Sequence, residues 1–283
     1  MSREDDATRV AGARSRGTRR SGLGAYLNFI FEYAKANLAM EMEYRVAFAA
    51  RVFGMIVNDL MWMSFWILYF DRFPVVQDWT KADVLTLWCV CEFGYGIAHS
   101  VFGNALSLSS VIVRGDLDFY LVYPKDVLLH TLVSRMGIAS LGDFVLGPIA
   151  FILLVRPSPT QVGLFLVSGV LVAALFLGFT VLAHSIAFFI GNSESLAEQV
   201  TGSLIHFSTY PSAIFQGVTK ALLFTVVPAG FINTIPVKVV RQFDPLFFSV
   251  TVVASICFVA AAITVFRTGL RRYESGNLMQ VRM

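Results

Sequence analysis

Three carboxylates interrupt apolar runs of this chain: Asp59 in "VNDLMW", Glu92 in "CVCEFG" and Asp143 in "LGDFVL". An ionisable group inside a membrane segment is costly, so it faces a partner, a subunit interface or a water-filled path. Lining a path, Asp59, Glu92 and Asp143 would favour cationic or hydrogen-bonding cargo, or relay protons. Pairing between helices is the structural alternative for each. Arg51 lies two turns before Asp59, and Glu92 and His99 stand at i and i+7, on one helix face. His184 and His206 flank a short polar loop and read as structural residues.

A second constellation sits in "VIVRGDLDFYLVYPKDVLLH", Val111 to His130. Arg114, Asp116, Asp118, Lys125 and Asp126 fall between two apolar runs, with Gly115 and Pro124 as breakers. Asp116 is a favoured N-cap type, residues 117–123 allow about two helical turns, and Pro124 stops them. Leu117, Tyr120 and Leu121 share a face at i, i+3 and i+4; Asp118 and Val122 share a neighbouring one. A short exposed helix with aromatic anchors has the form of a docking element. A plain interfacial connector is the alternative.

Other chemistries lack their residues. A P-loop ends in Gly-Lys, because glycine amides and a lysine cradle the phosphates; no glycine of this chain precedes a lysine. There is no H-E-x-x-H and no Cys/His cluster. Cys89 and Cys91 would point about 200° apart on a helix, and Cys257 is distant, so neither a metal site nor a disulfide framework is suggested. The chain is expected to be no enzyme and to hold no cofactor or metal of its own.

The elements that position these residues are membrane helices. Of 283 residues, 56% are hydrophobic and only 14% charged, against about a quarter charged in soluble domains. Several windows reach the ~20 apolar residues that cross a bilayer. The fold class is all-α integral membrane, with six spans near 46–70, 84–106, 131–155, 162–190, 202 onward and 244–266. Residues 1–23 read as a disordered basic tail, and 24–45 as an interfacial amphipathic helix. Residues 46–268 are the six-span domain and 269–283 a polar C-terminal tail. Gly191 is a plausible C-cap, Ser195 and Glu198 have capping-box spacing, Pro211 suggests a kink, and Asp244-Pro245 opens the last span. "KALLFTVVPAGFINTIPVKVV" is too short and too broken by proline for a clean crossing and reads as a re-entrant hairpin. With both termini inside, inner segments hold sixteen of the 22 Lys and Arg. That asymmetry puts the termini and the 111–130 segment in the cytoplasm. The basic tail suits anionic lipid headgroups; a nucleic-acid partner is not expected.

"GDLDFYLVYP" resembles the G-x-LD-x-x-L-x-x-P signature that follows the second span of ABC-2-type transporter permeases, in a bacterial branch once grouped as a domain of unknown function. "YPSAIF…LLFTVVPAGFINTIPV" and "GLRRYESGN" resemble later segments of the same branch, in the same order. The resemblance implies a multi-pass plasma (inner) membrane permease, most often an exporter, that pairs with an identical or different permease chain. Two cytoplasmic ATPase subunits, carrying ATP and Mg, would drive it through a coupling helix at about Asp116–Tyr123. The ATPase-coupling set expected on this basis is Arg114, Gly115, Asp116, Leu117, Asp118, Tyr120, Leu121 and Pro124. The hairpin at about 217–241 would face outside.

The leading alternative is an ion- or proton-coupled secondary transporter that uses Asp59, Glu92 and Asp143 as a relay; a membrane assembly or sensory protein is a third reading. The coupling-helix signature and the lack of an evident internal repeat weigh against the secondary transporter.

Overall fold

The computed structural model describes residues 23–273. Most of the expected basic tail, and the chain beyond Tyr273, lie outside the described residues. Helix α1 (Leu23–Glu41) runs through one 3-10 turn, Met42–Tyr44, into α2 (Arg45–Arg72). A two-stranded ribbon, β1 (Val75–Val76) and β2 (Trp79–Thr80), turns the chain into α3 (Lys81–Val101). The start of α3 is fixed by a capping box in which Thr80 and Asp83 bond each other's backbone amides.

After a 3-10 stretch (Gly103–Ser107) come α4 (Leu108–Val113), α5 (Leu117–Leu121), α6 (Val127–Val133) and α7 (Ser140–Ala150), the last extended by a π turn to Val155. Helix α8 (Pro159–Ser185) starts at a Ser158/Gln161 capping box. Helix α9 (Ala187–Ile190) ends at Gly191, whose φ of +75° favours glycine. Then follow α10 (Glu194–Ser208), α11 (Gly217–Thr225), α12 (Ala229–Arg241) and α13 (Pro245–Leu270). Asp244 caps α13 through the amides of Leu246 and Phe247, with Pro245 at the first position.

Among the described residues, four helical segments are long and apolar enough to cross a bilayer: Gly24–Arg72, Lys81–Val101, Pro159–Ile190 and Pro245–Leu270. The pair α11–α12, bent by 86°, would make a fifth if it is one span. Two expected spans are built from shorter pieces. The 131–155 run is broken between Val133 and Ser140, and the run from 202 is the 15-residue α10, which stops at Ser208 before Pro211 rather than kinking there. The Ser195/Glu198 box does not form either, since α10 begins at Glu194 with no side-chain cap.

Helix α3 is the hub and is almost wholly buried. Glycines let its neighbours close on it. A Cβ on Gly147 of α7 would meet the Cys89 carbonyl at 2.8 Å, and one on Gly96 would collide with the Phe144 backbone. Such small-residue contacts bring helix backbones together where lipid supplies no hydrophobic drive. The breaks after α3 and after α6 are stitched to each other. The Gly137 amide donates to the His99 carbonyl (2.9 Å), the Asn104 amide to Arg135 (3.2 Å), and Asn104 Nδ2 to Thr131 (2.9 Å). Backbone groups freed by the breaks are thus paired inside protein, as non-helical chain at depth requires.

Candidate functional site

Helices α2, α3 and α7 converge on the three acids. Gly142 allows the approach, since a Cβ there would sit 3.0 Å from the Val52 carbonyl of α2. Asp143 then reaches the neighbourhood of Asp59, and one carboxyl oxygen of each is buried without a hydrogen-bond partner among the described residues. Glu92 lies beside them with 6% of its surface exposed, and neither of its carboxyl oxygens has a partner among the described residues.

All three acids line one cavity of about 230 Å³. Its walls are aromatic: Trp62, Trp88, Tyr95, Phe176 and Tyr210, with His206 at one side. The Trp62 and Trp88 rings stack at 6.0 Å, and Trp88 Nε1 is buried without a partner. Carboxyl groups walled by π faces suit a cation with an apolar body.

The remaining ionisable residues of the spans lie elsewhere. His99 shares the Glu92 helix but is fully buried, stacked on Tyr95 with Nδ1 against the Tyr95 carbonyl. His184 meets Ser109 Oγ at 2.9 Å. Arg51 turns away from Asp59 to pair with Glu41 at 2.7 Å. His206, read from the sequence as a structural residue, lines the cavity, and the aromatic wall carried no sequence signal, because Trp and Tyr at helical spacing are ordinary in apolar segments.

The second constellation is built around α5. Gly115, with φ +80°, closes α4: its amide donates to Ile112 and that of Asp116 to Val111, the two bonds of a Schellman turn. A side chain is strained at that φ, which explains the glycine of the signature. Helix α5 is five residues, Leu117–Leu121, shorter than the expected two turns, and Pro124 lies in the turn beyond it. Asp116 does not cap it through its side chain, which pairs with Arg114 at 3.3 Å.

One side of α5 is held by the body of the fold. Leu117 is 0% exposed in a cluster with Leu108, Ile112, Leu132 and Phe266. Tyr120 Oη donates to Ser134 Oγ (3.0 Å), within the stitched break. Asp118 lies against Tyr273, just past α13; burial, and then the Asp118 charge, push the Tyr273 hydroxyl up to about 12. His130 of α6 gathers the rings of Phe119, Tyr120 and Tyr123 with Phe29 and Tyr33 of α1, and its Nε2 is hydrogen-bonded to Tyr33 Oη. The other side is more open: Phe119 is 58% and Val122 77% exposed, with Leu121 and Tyr123 beside them.

The profile of the ABC-2 family transporter proteins matches residues 54–276, from within α2 to beyond α13. The chain belongs to the ABC-2 transporter family. Comparison with the curated proteins and with the solved structures returns no match. The match takes in both constellations of this ABC-2 chain, while α1 and the start of α2 precede it. At family level the chain is therefore a multi-pass transporter permease. Of the residues expected at the docking element, Leu117 is buried and Tyr120 half-buried, Arg114, Asp116, Asp118 and Leu121 are exposed, and Gly115 and Pro124 shape the chain around them. Of the three residues expected to share a helix face, Leu117 is buried, Tyr120 half-buried and Leu121 exposed.

Proposed function

We propose that this chain is the membrane subunit of an ATP-driven exporter, energised by two separate cytoplasmic ATPase subunits that carry ATP and Mg. Its six crossings are α2, α3, α6 with α7, α8, α10 and α13, in the plasma (inner) membrane, with both termini cytoplasmic. The bent pair α11–α12 is the outward hairpin. A second permease chain, identical or different, completes the membrane domain.

The observation that carries this reading is the two-sided character of α5. It is bound through Leu117, Tyr120 and Asp118 to α1, α6 and the end of α13, yet offers Phe119 and Val122 outward. A rigid element with one open apolar face is what a docked subunit needs in order to push on a membrane domain. ATP-driven movement of the ATPases would displace α5 and, with it, α6 and α7, the helix that carries Asp143. Coupling requires that the two transport conformations differ in free energy of ATP binding.

The acid cavity is the proposed cargo path, taking a cationic or hydrogen-bond-donating compound. The second reading, proton-coupled secondary transport, is favoured by the three carboxyl groups of Asp59, Glu92 and Asp143 lining one cavity, where a carboxyl group can carry an exchangeable proton. Transport into inverted vesicles separates the two. Uptake that needs ATP hydrolysis and survives an uncoupler supports the ATP-driven exporter. Uptake that ignores ATP and collapses with the proton gradient overturns it.

A further inference from the structure

A second cavity, of about 370 Å³, shares no lining residue with the acid cavity and lies between α6, α8 and α13. Its walls are hydrocarbon: Leu129 and Leu132 of α6, Leu177 and Val181 of α8, and Ala262 and Ile263 of α13. Gly178 deepens it, because α8 there lies against the α13 backbone, and a Cβ would meet the Phe258 carbonyl carbon at 3.0 Å. Only one end is polar. There Asp126 and Arg267 form an ion pair at 3.3 Å.

Asp126 is largely committed: Oδ1 accepts from the Leu129 amide as the cap of α6, and Oδ2 takes Arg267. The Arg267 side chain is 65% exposed and meets Asp126 through one Nη, which leaves other guanidinium donors free to turn outward. Three further cations stand within five residues of Asp126 or Arg267 along the chain. Lys125 lies over the Phe29 ring at 5.1 Å, Arg272 over the Phe189 ring at 5.4 Å, and Arg271 is exposed between α13 and Tyr273. Tyr26 of α1 completes the mouth.

We infer that this groove holds one membrane phospholipid with an anionic headgroup: an acyl chain between α6, α8 and α13, and the phosphate on Arg267. An apolar slot with a single charged end matches an acyl chain below a headgroup. Lys125, Arg267, Arg271 and Arg272 outnumber the nearby acids among the described residues, Asp126 at the mouth and Asp118 against Tyr273, so a lipid without a headgroup amine binds better. Basic recesses between membrane helices at the cytoplasmic face select anionic lipids in this way. The site adjoins α5 through Leu132, which lines the groove and packs in the cluster that buries Leu117. The lipid therefore braces the junction of α5, α6 and α13. This holds whether or not the chain is driven by ATP.

Native mass spectrometry of the full-length chain in detergent, titrated with phosphatidylglycerol or phosphatidylcholine, tests it. The wild type should prefer phosphatidylglycerol. Arg267→Gln should lower that preference about fivefold, the equivalent of ~1 kcal/mol for one basic residue near an anionic surface. Arg267→Lys should keep most of it. Ile263→Trp, which fills the groove, should weaken binding of both lipids. Equal binding of the two lipids by the wild type, a preference untouched by Arg267→Gln, or tight binding untouched by Ile263→Trp would each overturn the assignment.

Discussion

Replacing Phe119 with alanine separates docking from folding. A Phe side chain presents about 200 Å², and 58% of Phe119 is exposed, so roughly 115 Å² is open to a partner. At about 25 cal/mol per Å², full burial on an ATPase surface corresponds to ~3 kcal/mol, and half burial to ~1.5. Phe119→Ala should therefore weaken the complex with the ATPase subunits by about tenfold to a hundredfold. The fold should survive, because this ring contacts only Tyr120, Tyr123 and His130 among the described aromatic rings. Leu117→Ala, at a site with 0% exposure, should instead cost about 2–5 kcal/mol of stability. The assay is the affinity of the solubilised permease for its ATPase subunits, read beside thermal unfolding. A Phe119→Ala chain that remains monodisperse and binds within twofold of wild type would refute the proposed docking face.

Three further outcomes follow from the packing and the cavity. Asp143→Asn keeps the shape of the side chain and should change the unfolding temperature little, while transport falls by about tenfold or more; Asp143→Leu should also cost ~1–3 kcal/mol, because it takes a polar neighbour from the buried acids Asp59 and Glu92. Gly96→Ala should destabilise by about 1–3 kcal/mol, since the Phe144 backbone must shift, whereas Gly202→Ala, with open space around it in α10, should gain ~0.5–1 kcal/mol; thermal unfolding reads both. The raised Tyr273 hydroxyl is neutral in both folded and unfolded chains below its ordinary value of 10.0 and resists ionisation in the fold up to about 12. Its contribution is thus complete below pH 10 and lost as pH rises toward 12, so wild-type stability should fall more steeply there than that of Tyr273→Phe.

Hydropathy made the long helices legible. The expected spans at 84–106, 162–190 and 244–266 correspond to Lys81–Val101, Pro159–Ser185 and Pro245–Leu270, with ends moved to the caps at Thr80, Ser158 and Asp244. The break after α6 was hidden, because a window average over 131–155 stays apolar while the decisive bonds come from His99 and Asn104, about thirty residues away. Helix α5 is short for a similar reason: the Schellman turn at Gly115 and the burial of Leu117 fix its start, and the chain turns again after Leu121. The three acids were visible as costly residues, but not that all three line one cavity with buried, unpartnered carboxyl oxygens. That convergence depends on Gly142 letting α7 close on α2.

The central claim is that energy enters from an ATPase through the open face of α5. Site-directed cross-linking tests it most directly. Cys89 and Cys91 are buried and Cys257 is exposed, so Cys257→Ser gives a quiet background. On it, Val122→Cys should cross-link in membranes to an ATP-binding-cassette subunit, with a yield that changes on adding ATP. Val218→Cys, equally exposed on α11, should not. No adduct at position 122, or equal adducts at both positions, would contradict the account.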